Sequence, residues 1–112
     1  MAAITELRQG AVVVLRPEAP LVQDDAGAFS TRATEVAGPA MGRVVIDLST
    51  APYIDSAGLE SLLDLSDLLE TKGQTLRLCD VSGTVRDVLD LTALLPRFEY
   101  FADTNTAVRS FL

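Results

Sequence analysis

Apolar residues recur along the chain at two spacings, one alternating and one helical, and the pattern changes between them several times. Residues 4–9 and 11–16 are short runs meeting at Gln9-Gly10, and they predict an opening β-hairpin. Pro17 and Pro20 follow, so that stretch cannot continue a central strand. Over residues 23–36, Ala26, Phe29, Ala33 and Val36 fall three or four apart, the period of one helix face. Asp24 and Asp25 suit the positively polarised start of that helix as ordinary electrostatics, and Gly38-Pro39 ends it.

Residues 43–49, RVVIDLS, are a compact β-branched run and predict a strand. The most strongly amphipathic helix spans 56–72, with Leu59, Leu62, Leu63, Leu65 and Leu69 as its apolar stripe. Glu60, Asp64, Asp67 and Thr71 make the polar face, and Gly73 stops the helix. A strand is predicted over 75–80 and a helix over 82–95, with Val85, Val88, Leu89 and Thr92 inward and Pro96 closing it. A short strand over 98–101 and a helix over 104–112 complete the chain. Alternating helices and strands imply parallel neighbours joined by crossovers, and the hairpin adds an antiparallel pair. The expectation is a single α/β domain over residues 1–112 with a mixed sheet.

Composition narrows the function. Apolar residues are 48% of the chain and charged residues 22%, ordinary for a globular protein with its own core. No apolar run is long enough for membrane insertion, and MAAITELRQG is not a secretory signal, so a cytoplasmic location is expected. A net charge of −7, with nine scattered Lys and Arg, opposes direct nucleic-acid binding, though it can steer a basic partner protein. Histidine is absent, which removes the commonest general base and metal ligand. Cys79 stands alone, cannot form an internal disulfide, and reads as a small hydrophobe.

Sites in open α/β sheets favour the carboxyl ends of parallel strands, here the loops over 49–56 and 79–82. The first carries Asp55-Ser56-Ala57-Gly58. Ser56 reads as a helix N-cap, with Asp55 competing for that place and Glu60 one position too far for a capping box. It also reads as an accessible hydroxyl whose phosphate would meet free N–H groups and the positive end of a helix dipole. Gly58 would leave the first turn open to a partner backbone. A catalytic nucleophile is a poor reading, because no histidine, nearby lysine or G-x-S-x-G elbow activates Ser56. Neither glycine-rich phosphate-binding motif is present. Asp47, Asp55 and Asp80 could hold a metal but read equally as caps or solvated acids, so neither metal nor cofactor is expected. Tyr53 and Tyr100 read as half-buried rim residues, with an interface role for an aromatic beside Ser56 as the other reading.

The combination VVIDLSTAPYIDSAGLESLLDLSDLLETKGQTLRLCDVSGTVRDVLDLTALLPRF resembles the STAS domain, specifically the stand-alone bacterial anti-sigma factor antagonists. The likeness implies a mixed sheet with helices packed mainly on one face. It implies phosphorylation at Ser56, with Asp55, Ser56, Ala57, Gly58 and Leu59 forming part of a docking surface. Its implied partners are an anti-sigma factor that is also a serine kinase, and a phosphatase; ATP would belong to the kinase. Two places differ from many members: R-P-E-A-P-L replaces a G-E-[IL]-D motif, leaving Glu18 but no aspartate, and Glu60 stands where glycine is frequent. STAS domains also serve as constitutive interaction or scaffold subunits in transport and stress-signalling complexes, where Ser56 would be only a structural cap.

Overall fold

Gly10 takes φ 63° at the first of two turn residues, a conformation glycine reaches without steric cost, and the chain reverses there. The computed structural model describes residues 3–112. The reversal joins β1 (Ile4–Gln9) to β2 (Val12–Pro17) as an antiparallel pair, in register from Ile4 opposite Pro17 to Gln9 opposite Val12. There follow α1 (Gln23–Ala37), β3 (Val44–Asp47), α2 (Ser56–Glu70), β4 (Arg77–Cys79), α3 (Gly83–Leu91), β5 (Glu99–Phe101) and α4 (Thr104–Arg109).

The sheet order is β1-β2-β3-β4-β5, and β2 to β5 are parallel. Each crossover therefore steps in the same direction across the sheet. Right-handed crossovers that all step one way place their helices on one face. The packing agrees. Phe29, Ala33 and Val36 of α1, Leu62, Leu65 and Leu69 of α2, and Val85 and Leu89 of α3 share one core with Val13, Leu15, Val44, Ile46 and Leu78. Among the described residues only α4 covers the opposite face, where Ala107 and Val108 pack on Val12, Val14, Val45 and Cys79. The fold is thus a single α/β domain with a mixed sheet, an antiparallel N-terminal hairpin and helices mainly on one side.

Boundaries differ from the sequence expectation at the carboxyl half. The strand expected over 75–80 is reduced to Arg77–Cys79, because Asp80 turns away with φ 54°. The helix expected over 82–95 ends at Leu91, well before Pro96. Thr92, expected inward, is exposed; its hydroxyl donates to the Val88 carbonyl at 2.7 Å, and Ala93 then enters the left-handed region at φ 61°. A one-turn 3-10 helix, Leu95–Arg97, carries Pro96, where a missing N–H costs no ladder bond. Among the described residues no helix is long and apolar enough to cross a membrane.

Candidate functional site: the start of α2

The segment between β3 and α2 is held from three directions. Thr50 Oγ1 donates to the Pro17 carbonyl at 2.6 Å. Ser82 Oγ donates to the Pro52 carbonyl at 2.8 Å while accepting the Val85 N–H at 3.2 Å as the cap of α3. Leu21 and Ile54 form an isolated parallel bridge, the Leu21 N–H reaching Tyr53 O and the Asp55 N–H reaching Leu21 O, each at 3.3 Å. A loop pinned this way presents a fixed surface.

Asp55 is the N-cap of α2: its Oδ1 accepts the Gly58 N–H at 3.0 Å. Its Oδ2 accepts the Gln23 N–H at 3.0 Å, so one carboxylate serves the starts of two helices. Ser56 is consequently the first helical residue and not a cap, contrary to the simplest expectation for it. Aspartate wins because a carboxylate has two oxygens for two donors and favours the positive end of the helix dipole more than a hydroxyl does. Ser56 is exposed, and no hydrogen bond occupies its hydroxyl among the described residues.

The room at Gly58 is taken by the chain itself rather than left to a partner. Gly58 is buried, and a Cβ there would lie 2.2 Å from the Leu21 carbonyl oxygen and 2.9 Å from Ile54 Cβ. Around Ser56, Ala57 and Leu59 are half-buried, Glu60 is exposed, and Tyr53 is 52% exposed, more open than a half-buried rim residue. Glu60 and Asp64 border a groove of about 260 Å³ between α1 and α2, floored by Ala26, Gly27, Ala57 and Ser61. Glu18 does not join this surface chemically: its carboxylate is engaged by Thr5 and Arg16 on the hairpin.

Asp47 and Asp80 do meet, with Cys79, but Asp55 is occupied at the helix starts. Asp47 Oδ1 accepts the Ser49 N–H at 2.9 Å. Burial pushes the Cys79 thiol up to about 11, which keeps it protonated and a poor ligand at neutral pH. Burial, with Asp47 and Asp103 nearby, raises Asp80 from its ordinary value. Tyr100 is half-buried; its hydroxyl donates to the Leu95 carbonyl at 2.7 Å and its ring lies 4.7 Å from the Arg86 guanidinium carbon. Leu21 and Gln23 are the site residues that sequence reasoning misses. They lie about thirty positions upstream of Asp55, and only the β2–α1–β3 crossover brings them to it.

The family profile for the STAS domain matches residues 3–107. Among solved structures, a Thermotoga maritima protein described as an anti-sigma factor antagonist superposes with a TM-score of 0.87 at 20% identity, over 96% of this chain and 92% of that one. The phosphorylated form of the Bacillus cell fate determinant SpoIIAA gives 0.74 at 18% identity, over 98% and 100%. The murine anion transporter Slc26a9 gives 0.75 at 17% identity over 94% of this chain, which spans only 18% of the transporter. No curated protein sequence matches the chain.

Proposed function

From the premise that the chain belongs to the STAS family, we propose that it is an anti-sigma factor antagonist whose binding is gated by phosphorylation of Ser56. Unphosphorylated, it binds an anti-sigma factor that is also a serine kinase and so frees a sigma factor; phosphorylation ends the interaction, and a phosphatase restores it. The reading places the protein in the cytoplasm and gives it no cofactor and no catalysis of its own, because ATP is bound by the kinase.

One observation carries it: Ser56 is exposed, its hydroxyl is unengaged among the described residues, and the cap that holds α2 is the neighbouring Asp55. A phosphate adds about −1.5 to −2 charge at pH 7. At this position it changes the face that a partner meets while leaving the helix cap in place. The phosphorylated form of the similar Bacillus protein supports the same direction. Asp55, Ala57 and Leu59 then lie within the docking surface, with Gly58 shaping it from beneath.

Incubation with the source organism's serine-kinase anti-sigma factor and ATP, followed by mass spectrometry, tests the reading. The phosphate is expected on Ser56, with Ser56→Ala retaining binding and Ser56→Asp losing it. Modification only elsewhere, or undiminished binding by Ser56→Asp, overturns it. The likeness to part of an anion transporter favours a second reading, a constitutive scaffold, in which Ser56→Ala and Ser56→Asp bind a permanent partner equally.

A further inference from the structure

The two edges of the sheet differ. β5 is three residues long, whereas β1 presents six, in unbroken register with β2 and with no bulge or proline. Short strands, prolines, bulges and charged side chains are the usual devices that stop an edge from pairing. β1 has only the last, Glu6 and Arg8, and these two are of opposite sign.

The direction of each backbone group on β1 follows from the ladder. In the antiparallel pair the Glu18 N–H reaches Ala3 O at 3.0 Å, while the Val13 N–H turns away to Arg43 O of the β3 side, also at 3.0 Å. Bonded pairs alternate along such a ladder. Thr5, Leu7 and Gln9 therefore spend their backbone groups on β2, and Ile4, Glu6 and Arg8 direct theirs outward. Side chains divide by the same parity. Ile4 packs on the main core and Glu6 pairs with Arg32 of α1, so this set faces the helices. Leu7, 51% exposed, points to the opposite face, beside Val14 and Thr104.

We propose that β1 is an interface at which a second copy of this chain pairs antiparallel, edge to edge, about a two-fold axis at Leu7. Only that register brings Glu6 opposite Arg8 of the second copy, and Arg8 opposite its Glu6. Both are residues with outward backbone groups, so each pair exchanges two N–H···O bonds and sets opposite charges across the strand. Arg8 makes no ion pair within 4 Å among the described residues, and the second copy would bring it opposite a Glu6 whose carboxylate is shared with Arg32. Leu7 meets Leu7 of the second copy at a non-hydrogen-bonded position, where side chains approach closest. The result is one continuous sheet across an isologous dimer. This interface does not depend on the Ser56 reading.

Cross-linking tests the register. Leu7→Cys is expected to yield a disulfide-linked dimer on mild oxidation, since the Cβ atoms at such a pair lie about 4.5–5.5 Å apart. Gln9→Cys is expected to give none, because two copies of residue 9 would be separated by four residue steps, about 13 Å. Wild type, carrying only the buried Cys79, is the control. In sedimentation at millimolar concentration, wild type is expected to show a doubled mass that Arg8→Glu and Glu6→Arg each abolish, and that an equimolar mixture of the two variants restores. Arg8→Pro, which removes an outward N–H, is expected to be folded by circular dichroism and monomeric. A monomeric wild type, equal cross-linking at positions 7 and 9, or a dimer indifferent to Arg8→Glu overturns the proposal.

Discussion

Asp55 accepts the backbone N–H of Gln23 at 3.0 Å while holding Gly58 with its other oxygen. Gln23 has φ 49°, a left-handed conformation that costs a non-glycine residue roughly 1–2 kcal/mol. The carboxylate therefore both caps α2 and keeps the entry to α1 in a conformation it would otherwise leave. Asp55→Ala is expected to lower stability by about 2–4 kcal/mol, two charge-assisted bonds being lost together. Asp55→Asn is expected to lose less, since one amide oxygen still accepts. Equilibrium urea unfolding of the two variants checks the order.

Two helical glycines give opposite predictions. A Cβ at Gly58 would overlap the Leu21 carbonyl, backbone that cannot withdraw without breaking its bond to the Asp55 N–H. Gly58→Ala is expected to cost about 2 kcal/mol or more, with the Leu21–Ile54 bridge and the start of α2 forced apart. Gly27 has nothing within 4 Å of the same added atom and lies inside α1. Gly27→Ala is expected to stabilise by about 0.5–1 kcal/mol through helix propensity alone. Thermal melts distinguish the two, and a Gly58→Ala protein as stable as wild type would discredit the close approach.

The order of elements is legible in the sequence because each helix presents apolar residues at its own period, and two internal strands, β2 and β3, carry β-branched runs that bury on both faces, while β4 is only Arg77-Leu78-Cys79. Val44, Val45 and Ile46 are all fully buried. Boundaries after Asp80 are less legible. Asp80 and Ala93 both adopt positive φ, and no glycine marks either position in the sequence. At the site, IDSAGL identifies the turn, and Asp55 and Ser56 are both visible as capping candidates. What decides between them is Gln23, whose amide claims the second carboxylate oxygen. No local pattern reports a donor that far away in sequence. Gly58 is visible as a demand for space, yet the claimant is the Leu21 carbonyl, again known only from the fold.

Cys79 should make stability fall with alkaline pH. Burial holds its folded value up to about 11, against an ordinary value of 9.0 in the unfolded chain, so the folded state retains a proton that the unfolded state releases. Stability from this group is full below about pH 9 and is lost progressively as pH rises towards 11. Burial raises Tyr100 as well and acts in the same direction at higher pH. Urea midpoints measured between pH 8 and 11 are expected to decline less steeply in Cys79→Ala than in wild type. In the same buffers the native thiol is expected to react with a disulfide reagent much more slowly than the denatured thiol.

Ser56 and Asp55 are neighbours with separable jobs, and that separation can be measured without any partner. If the hydroxyl capped α2, its removal would cost about 1 kcal/mol. Because the cap is Asp55 and Ser56 is exposed, Ser56→Ala is expected to change stability by less than about 0.5 kcal/mol. Ser56→Asp sets a second carboxylate beside Asp55, which is unfavourable, but at a first helical turn, which is favourable. The two terms oppose, so this variant too is expected to stay close to wild type in urea unfolding while differing sharply in partner binding. A large loss of stability in Ser56→Ala would return the hydroxyl to a structural role, and any binding defect of that variant would then reflect unfolding rather than recognition.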